Sequence, residues 1–325
     1  MQATARAQPN IALIKYWGKR DVARNLPAVG SLSITLADLY TEMDVRFDAA
    51  LASDKLTVNG TDNITMLPRI SRTLDSVAGA NRLCARVASR CNFPVAAGLA
   101  SSASAFAALT VAASSASGKE RSIAELASLA GRASGSAARS LYGGFAELSN
   151  EANDVSVTTL AAAEDWPLRV VVAITTRAAK PVSSGDAMEI SRKTSPFYQR
   201  WVDEQEQDLA AARSAVSTRD FSDLASIAEH NCLKMHSVMW ASRPPMVYWN
   251  AATLNCLQTI RELQAEGVAV FFTVDAGPQV KAVCTAEAEQ RVCAALRATD
   301  GVEALMQSGL GAGAGLISNQ SRTPA

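Results

Sequence analysis

The chemistry on offer in this chain centres on a carboxylate. Asp275 ends the apolar run "VAVFFTV" and is followed by Ala-Gly-Pro, so the chain turns sharply and leaves an acidic side chain at a strand terminus. Such a group can orient or deprotonate a hydroxyl that comes within hydrogen-bond reach. The same pattern also makes an ordinary turn-capping aspartate. Lys15 and Lys19 flank "YWG". Residues four apart on a strand share a face, which would point both ammonium groups into one cleft. Solvated lysines around a core aromatic pair are the plainer alternative. Arg139 lies in "SGSAARS", where its planar fork suits a carboxylate and Ser134, Gly135 and Ser136 stand close by. An Arg in that setting also fits a surface ion pair.

The stretch "PVAAGLASSASAFAAL" from Pro94 offers something different. Phe106, Leu109, Val111 and the alanines make a close-packing helical face. Ser101 and Ser102 stand where that helix begins, and a helix start presents unpaired N–H groups and partial positive charge to a phosphate. Gly98 lets the main chain approach an anion without a Cβ in the way. With no Lys beside the serines, this is not a G-x-x-x-x-G-K-[ST] loop.

These residues sit in a chain of 325 residues, long enough for about two domains. It is 48% hydrophobic and 19% charged with zero net charge, an ordinary globular balance without the basic excess of a nucleic-acid binder. The longest apolar runs fall well short of the ~18 residues of a membrane span. The N-terminus, interrupted by Pro9, Asn10 and Lys15, has no signal-peptide core, so a cytoplasmic protein without a membrane partner is expected. Six cysteines never form C-x-x-C, and His230 and His236 are the two histidines. Reduced thiols and no structural metal are expected.

The elements read as α+β, β-rich at the beginning and helical in the second half. Ile70, Leu74, Val77, Leu83 and Val87 recur at helical spacing over 69–91. "SIAELASLAGRAS" opens with a Ser N-cap and an acidic residue three later. "LRVVVAIT" and "VAVFFTV" read as strands. "FYQRWVDEQEQDLAAARSAVSTRDFSDLASIAEHNCLKMHSVM" reads as two helices joined near "STRD", and a later helix closes at Gly267. "GLGAGAGLI" reads as a turn into a last strand, and His236 as a core or supporting residue. No internal repeat is visible. "TRAAKPVSSGD" at 176–186 is a domain boundary or an active-site loop.

Read together, "PNIALIKYWGKRD…NLPAVGSLSITL", "FPVAAGLASSASAFAAL", "ASGSAARSLYGGFAE" and "FFTVDAGPQVKAV" strongly resemble the mevalonate diphosphate decarboxylase family of the GHMP small-molecule kinase superfamily. The resemblance runs through most of the chain, in the family's order. It implies a GHMP kinase fold: a ribosomal-protein-S5-like ATP-binding part at 1–178 and a ferredoxin-like decarboxylase part at 179–325, around a deep cleft. It implies ATP and Mg²⁺, phosphorylation of the C3 hydroxyl of a phosphorylated mevalonate, loss of phosphate and CO₂, and a homodimer.

By the resemblance, Asp275, Lys15 and Arg139 are catalytic. Tyr16, Trp17, Lys19, Ser134, Gly135, Ser136, Arg139 and Arg69 bind substrate, with Arg72 competing for the last role. Asn92, Gly98, Leu99, Ala100, Ser101, Ser102, Lys180 and Ser184 bind ATP, with Ser102 near the metal. The chain departs from the family at Ala28, Val29 and Gly30, at Ala138, and at Gly185, where several bacterial relatives carry a phosphate-contacting Arg. With Tyr16, Lys19 and the Ser-Gly-Ser segment kept, the resemblance favours mevalonate 5-diphosphate as substrate and isopentenyl diphosphate as product, and the departures leave the 5-monophosphate and mevalonate as alternatives. They also leave open a kinase that stops at C3 phosphorylation and a ligand-binding regulator without chemistry.

Overall fold

A computed structural model describes residues 1–93, 101–178 and 180–317. Among them the first half runs β1 (Gln2–Ala7), β2 (Asn10–Ile14), β3 (Lys19–Asp21), β4 (Leu26–Pro27), β5 (Ser31–Thr35), β6 (Thr41–Phe47), β7 (Lys55–Val58), β8 (Thr61–Asp62), α1 (Leu67–Ala78) and β9 (Ala85–Cys91). It continues through α2 (Ser101–Ala116), α3 (Ile123–Ala133), a 3-10 helix (Gly135–Leu141), β10 (Phe145–Asn150) and β11 (Val155–Ala161). The second half holds β12 (Arg169–Ile174), α4 (Ser184–Thr194), α5 (Tyr198–Thr218), α6 (Phe221–Trp240), α7 (Ala251–Ala265), β13 (Val270–Val274), β14 (Val280–Cys284), α8 (Glu289–Ala298), β15 (Ala304–Gly309) and β16 (Gly315–Leu316).

The first sheet has the order β16-β1-β6-β9-β7-β8, antiparallel except where β7 meets β9. Strand β6 alternates buried and partly exposed residues, so one face of this sheet is apolar. Helices α1 and α2 cover that face, burying Leu74, Phe106 and Leu109 against Val45 and Val87, and α3 packs against the two helices. Helix α2 is buried along most of its length, and its alanines and serines keep it narrow enough to lie close to its neighbours.

The second sheet has the order β11-β10-β5-β2 and the third β13-β14-β12-β15. Ile11, Leu32 and Ile34 share an apolar cluster with Val172, Phe271 and, from α5, Leu209 and Val216. Residues from both halves of the chain therefore make one core. The other face of the third sheet packs under α7 and α8, burying Ile260 and Leu296 with Val280 and Ala282.

The α+β class expected from sequence holds. Ser122 makes the full capping box with Glu125, the segment after Gly313 returns as β16 beside β1, and Gly267 follows α7 with φ +79°. The continuous helix expected over 69–91 does not form. It stops at Ala78, where Gly79 takes φ +94°, and Leu83 is exposed. Val87 belongs to β9, whose buried Ala85, Val87 and Ser89 follow the two-residue period of a strand. Strands β14 and β15 completed the third sheet without being anticipated.

Gly144 tests how tightly β10 is held. Its φ is +61°, and a Cβ there would collide with the backbone of Ala161 and Ala162. Gly144→Ala is therefore expected to lose about 2 kcal/mol or more of stability. Urea unfolding followed by far-UV circular dichroism measures it, and an unchanged midpoint would contradict the packing described.

Candidate active site

A cavity of about 720 Å³ opens between the two halves, and Asp275, Lys15, Arg139, Lys180 and Ser102 all line it. Asp275 follows the last residue of β13. Lys15 Nζ lies 2.7 Å from its Oδ1 and Lys281 Nζ 3.1 Å from its Oδ2. Both lysines are 1% exposed, whereas the Asp275 side chain keeps 25% of its surface open. Burial would raise the Asp275 carboxyl. The two ammonium groups, Lys15 foremost, outweigh it and hold the group well below the usual carboxylate range.

The Lys15 main chain is clamped from the second half. Its N–H donates to Asn231 Oδ1 at 2.8 Å, and its carbonyl accepts from Gln205 Nε2 at 2.8 Å. Asn231 Nδ2 donates in turn to Gln205 Oε1 and Asp208 Oδ2, at 2.9 and 2.6 Å. Lys15 Nζ also donates to the Ala12 carbonyl at 2.9 Å. Each polar group in this buried network is engaged, so the lysine has little freedom to move.

Lys15 and Lys19 do not share a strand. β2 ends at Ile14, the chain turns through Gly18 at φ +101°, and Lys19 opens β3. Both nonetheless line the cavity, brought there by the turn. Trp17 is mainly a core residue, packed with Trp201 and Met235, while its carbonyl accepts from Trp201 Nε1 at 2.9 Å. The Tyr16 hydroxyl is buried without a partner among the described residues, and burial pushes the phenol well above its usual pKa. Gly135 is required beside it, because a Cβ there would overlap the phenol ring.

Arg139 projects from the 3-10 helix and is 1% exposed. It donates to Ser33 Oγ at 2.9 Å, to Asn10 Oδ1 at 3.2 Å and to Ser31 Oγ. Among the described residues no carboxylate reaches ion-pair distance of it, and burial lowers its pKa to about 10. A buried guanidinium held only by neutral groups is a preformed seat for an anion. Ser134 Oγ donates to Ser102 Oγ at 3.3 Å, tying this segment to the start of α2. Ser136 also lines the cavity.

Ser101 and Ser102 are the first residues of α2 and line the cavity, whereas Gly98, Leu99 and Ala100 lie outside the described residues. Arg69 lines it too, while Arg72 is exposed elsewhere. Two nitrogens of Arg69 donate to the Ala133 carbonyl, at 3.0 and 2.6 Å, and its guanidinium lies 4.3 Å over the Phe106 ring. Lys180 Nζ donates to Ser184 Oγ at 2.6 Å and to the Ala276 carbonyl at 3.4 Å, and burial lowers its pKa.

Asn92 departs from expectation. Its side chain accepts from the Tyr40 N–H and donates to the Asp38 carbonyl, both at 2.8 Å, and it lines a second cavity on the other face of the first sheet. Lys281, Asn231 and Gln205 also belong to the site, although no motif marks them. A lysine inside the apolar strand "VKAVC" was the available signal for the first; for the amides there was none.

Two domain families match the chain: "Diphosphomevalonate decarboxylase-like N-terminal domain" over residues 7–159 and "Mevalonate 5-diphosphate decarboxylase C-terminal domain" over 170–309. The diphosphomevalonate decarboxylase of Eremothecium gossypii is 33% identical over 92% of this chain and 81% of its own length. The chain belongs to the diphosphomevalonate decarboxylase family. The crystal structure of mevalonate diphosphate decarboxylase from Staphylococcus aureus superposes with a TM-score of 0.91 at 35% identity, covering 98% of each chain. A second solved structure, a complex with MVAPP, AMPPCP and magnesium, gives a TM-score of 0.90 at 35% identity over 98% of this chain and 99% of that one.

In this decarboxylase-family chain His236 is structural. It is fully buried, its Nε2 lies 3.1 Å from the carbonyl of Val274, the residue before Asp275, and burial lowers its pKa to about 3. The unfolded chain binds a proton there near pH 6.5, the native one only near pH 3, so stability is full above pH 6.5 and falls as pH drops below it. One such group removes about 2–3 kcal/mol by pH 4.5. Unfolding free energies of the wild type from urea titrations should fall over that interval by this amount more than those of His236→Gln; equal pH dependences would contradict the assignment.

Proposed function

We propose that the chain catalyses the ATP-dependent conversion of mevalonate 5-diphosphate to isopentenyl diphosphate, ADP, phosphate and CO₂, a step of isoprenoid synthesis. The observation that carries this is a carboxylate held ionised at one cavity that also contains an unmatched buried guanidinium and a helix start. The similar structure holding MVAPP, AMPPCP and magnesium supports the same ligand set.

The residues divide by chemistry. Asp275 accepts a hydrogen bond from the C3 hydroxyl and aims its oxygen at the nucleotide's terminal phosphoryl group, which a loose transition state passes with little need of a strong base. Arg139 pairs with the C1 carboxylate through parallel hydrogen bonds, beside Ser134, Gly135 and Ser136. The Tyr16 hydroxyl, Lys19 and Arg69 meet the diphosphate end, with Trp17 behind them. Ser101 and Ser102, with the α2 N–H groups, seat the nucleotide phosphates, and Lys180 and Ser184 close that seat. Lys15 and Lys180 add positive charge where negative charge accumulates.

Mg²⁺ held on the nucleotide would neutralise phosphate charge, and the Ser102 hydroxyl would help hold it. Among the described residues no group of three or more His, Cys, Asp or Glu is placed to hold a metal ion. Residues 1–178 act as the ATP-binding part and 179–325 as the part supplying Asp275. The protein so read is a cytoplasmic homodimer; among the described residues no helix is long and apolar enough to cross a membrane.

One assay set decides the reaction: Mg²⁺–ATP with mevalonate, its 5-phosphate or its 5-diphosphate, with ADP and CO₂ measured together. Equal amounts of both from the 5-diphosphate are expected. ADP without CO₂ would make the protein a kinase, and preference for the 5-phosphate would trace to Gly185, which lines the cavity near Lys19. Asp275→Asn should lose at least ~10²-fold in turnover with substrate affinity within about tenfold. Undiminished turnover would remove Asp275 from the chemistry.

A further inference from the structure

β14 is buried at every residue from Val280 to Cys284. Val280, Ala282 and Cys284 pack under α7 and α8, so Lys281 faces the opposite side, where its cross-strand neighbours are Thr273 and Val172. An ammonium group in such a place is costly unless it is paired. Lys281 lies six residues after Asp275 on the same β-hairpin and meets its Oδ2 at 3.1 Å. Lys15 meets Oδ1 from the other half of the chain. The two ammonium groups thus take one carboxylate oxygen each, and the hairpin brings its own counter-ion.

We propose that Lys281 is a positioning residue for the reaction: by binding Oδ2 it holds the Asp275 carboxylate anionic and in one orientation, so that its open edge meets the substrate hydroxyl. The hairpin pair sets this arrangement, and Lys15 completes it from the other half of the chain. The other charged or titratable groups facing the carboxylate are Lys180 ahead of α4, Arg139 on the 3-10 helix, and Cys232 and His236 on α6. Burial keeps Cys232 protonated and His236 neutral. Removing the Lys281 charge therefore takes away one of the two cations bound directly to Asp275, and its carboxyl should protonate at higher pH.

The turnover arm of the test rests on the decarboxylase reading above; the titration arm does not. The ¹³C carboxyl resonance of Asp275, assigned by its loss in Asp275→Asn, is titrated in the wild type, Lys281→Met and Lys281→Arg, alongside kcat and KM with Mg²⁺–ATP and mevalonate 5-diphosphate. In the wild type the carboxyl is expected to stay ionised to the acid limit of the fold. In Lys281→Met a midpoint should appear within the pH range where the fold persists, and kcat should fall about tenfold or more with KM within about threefold. Lys281→Arg should restore the titration and part of kcat.

An unmoved carboxyl in Lys281→Met, or a loss confined to KM or to thermal stability, would overturn the proposal. If Lys281→Met does not fold, Lys281→Gln is judged by the same criteria. Failure of both to fold beside a folded Lys281→Arg would make the lysine structural and overturn it as well. A wild type that releases no CO₂ would remove the decarboxylase reading, while the titration would still decide whether Lys281 controls the carboxylate.

Discussion

One carboxylate shared by two buried ammonium groups is the constraint around which the site is built. Asp275 sits on a hairpin of the third sheet, Lys281 on the same hairpin, and Lys15 just beyond β2 of the second sheet. None of the three charges could be buried alone without a large desolvation cost. Together they leave one excess positive charge, and Arg139 and Lys180 add more around the same cavity. A region so charged suits a substrate with an anion at each end and a reaction that gathers negative charge between them.

The surroundings make that arrangement rigid. Sheets two and three share a single apolar core, so the halves carrying Lys15 and Asp275 meet through packed side chains. Asn231 and Gln205 then hold the Lys15 main chain from α6 and α5, and His236 braces the end of β13 at Val274. Catalysis by orientation needs this stiffness, since small displacements of the reacting groups are costly. The start of α2 forms another part of the cavity wall, on a helix slim enough to pack closely along its length.

Much of this is legible in the sequence. The strand "VAVFFTV" leading to Asp275 and the capped helix from Ser122 depend on neighbours within a few residues, and both formed; the late strand formed too, by pairing with β1. Where two periods fit the same residues, local pattern misled. Val77 and Val87 fit a helix, but Gly79 broke it and the sheet claimed Val87. Lys15 and Lys19 reached one cavity by a turn at Gly18 rather than by a common strand. Asn92, adjacent to the Ala/Ser segment in sequence, was drawn instead to the 38–40 turn.

By itself the sequence determined the family, the α+β class and the residue types from which an anion-binding site could be made, because these are written in short motifs and in local periodicity. Only the tertiary structure decided that Lys281 shares the carboxylate, that Arg139 is buried without a counter-ion among the described residues, and that two amides from α5 and α6 hold Lys15. Those facts depend on which side chains meet across sheets far apart in the chain. Charge pairing and burial are properties of that meeting, and no single segment contains them.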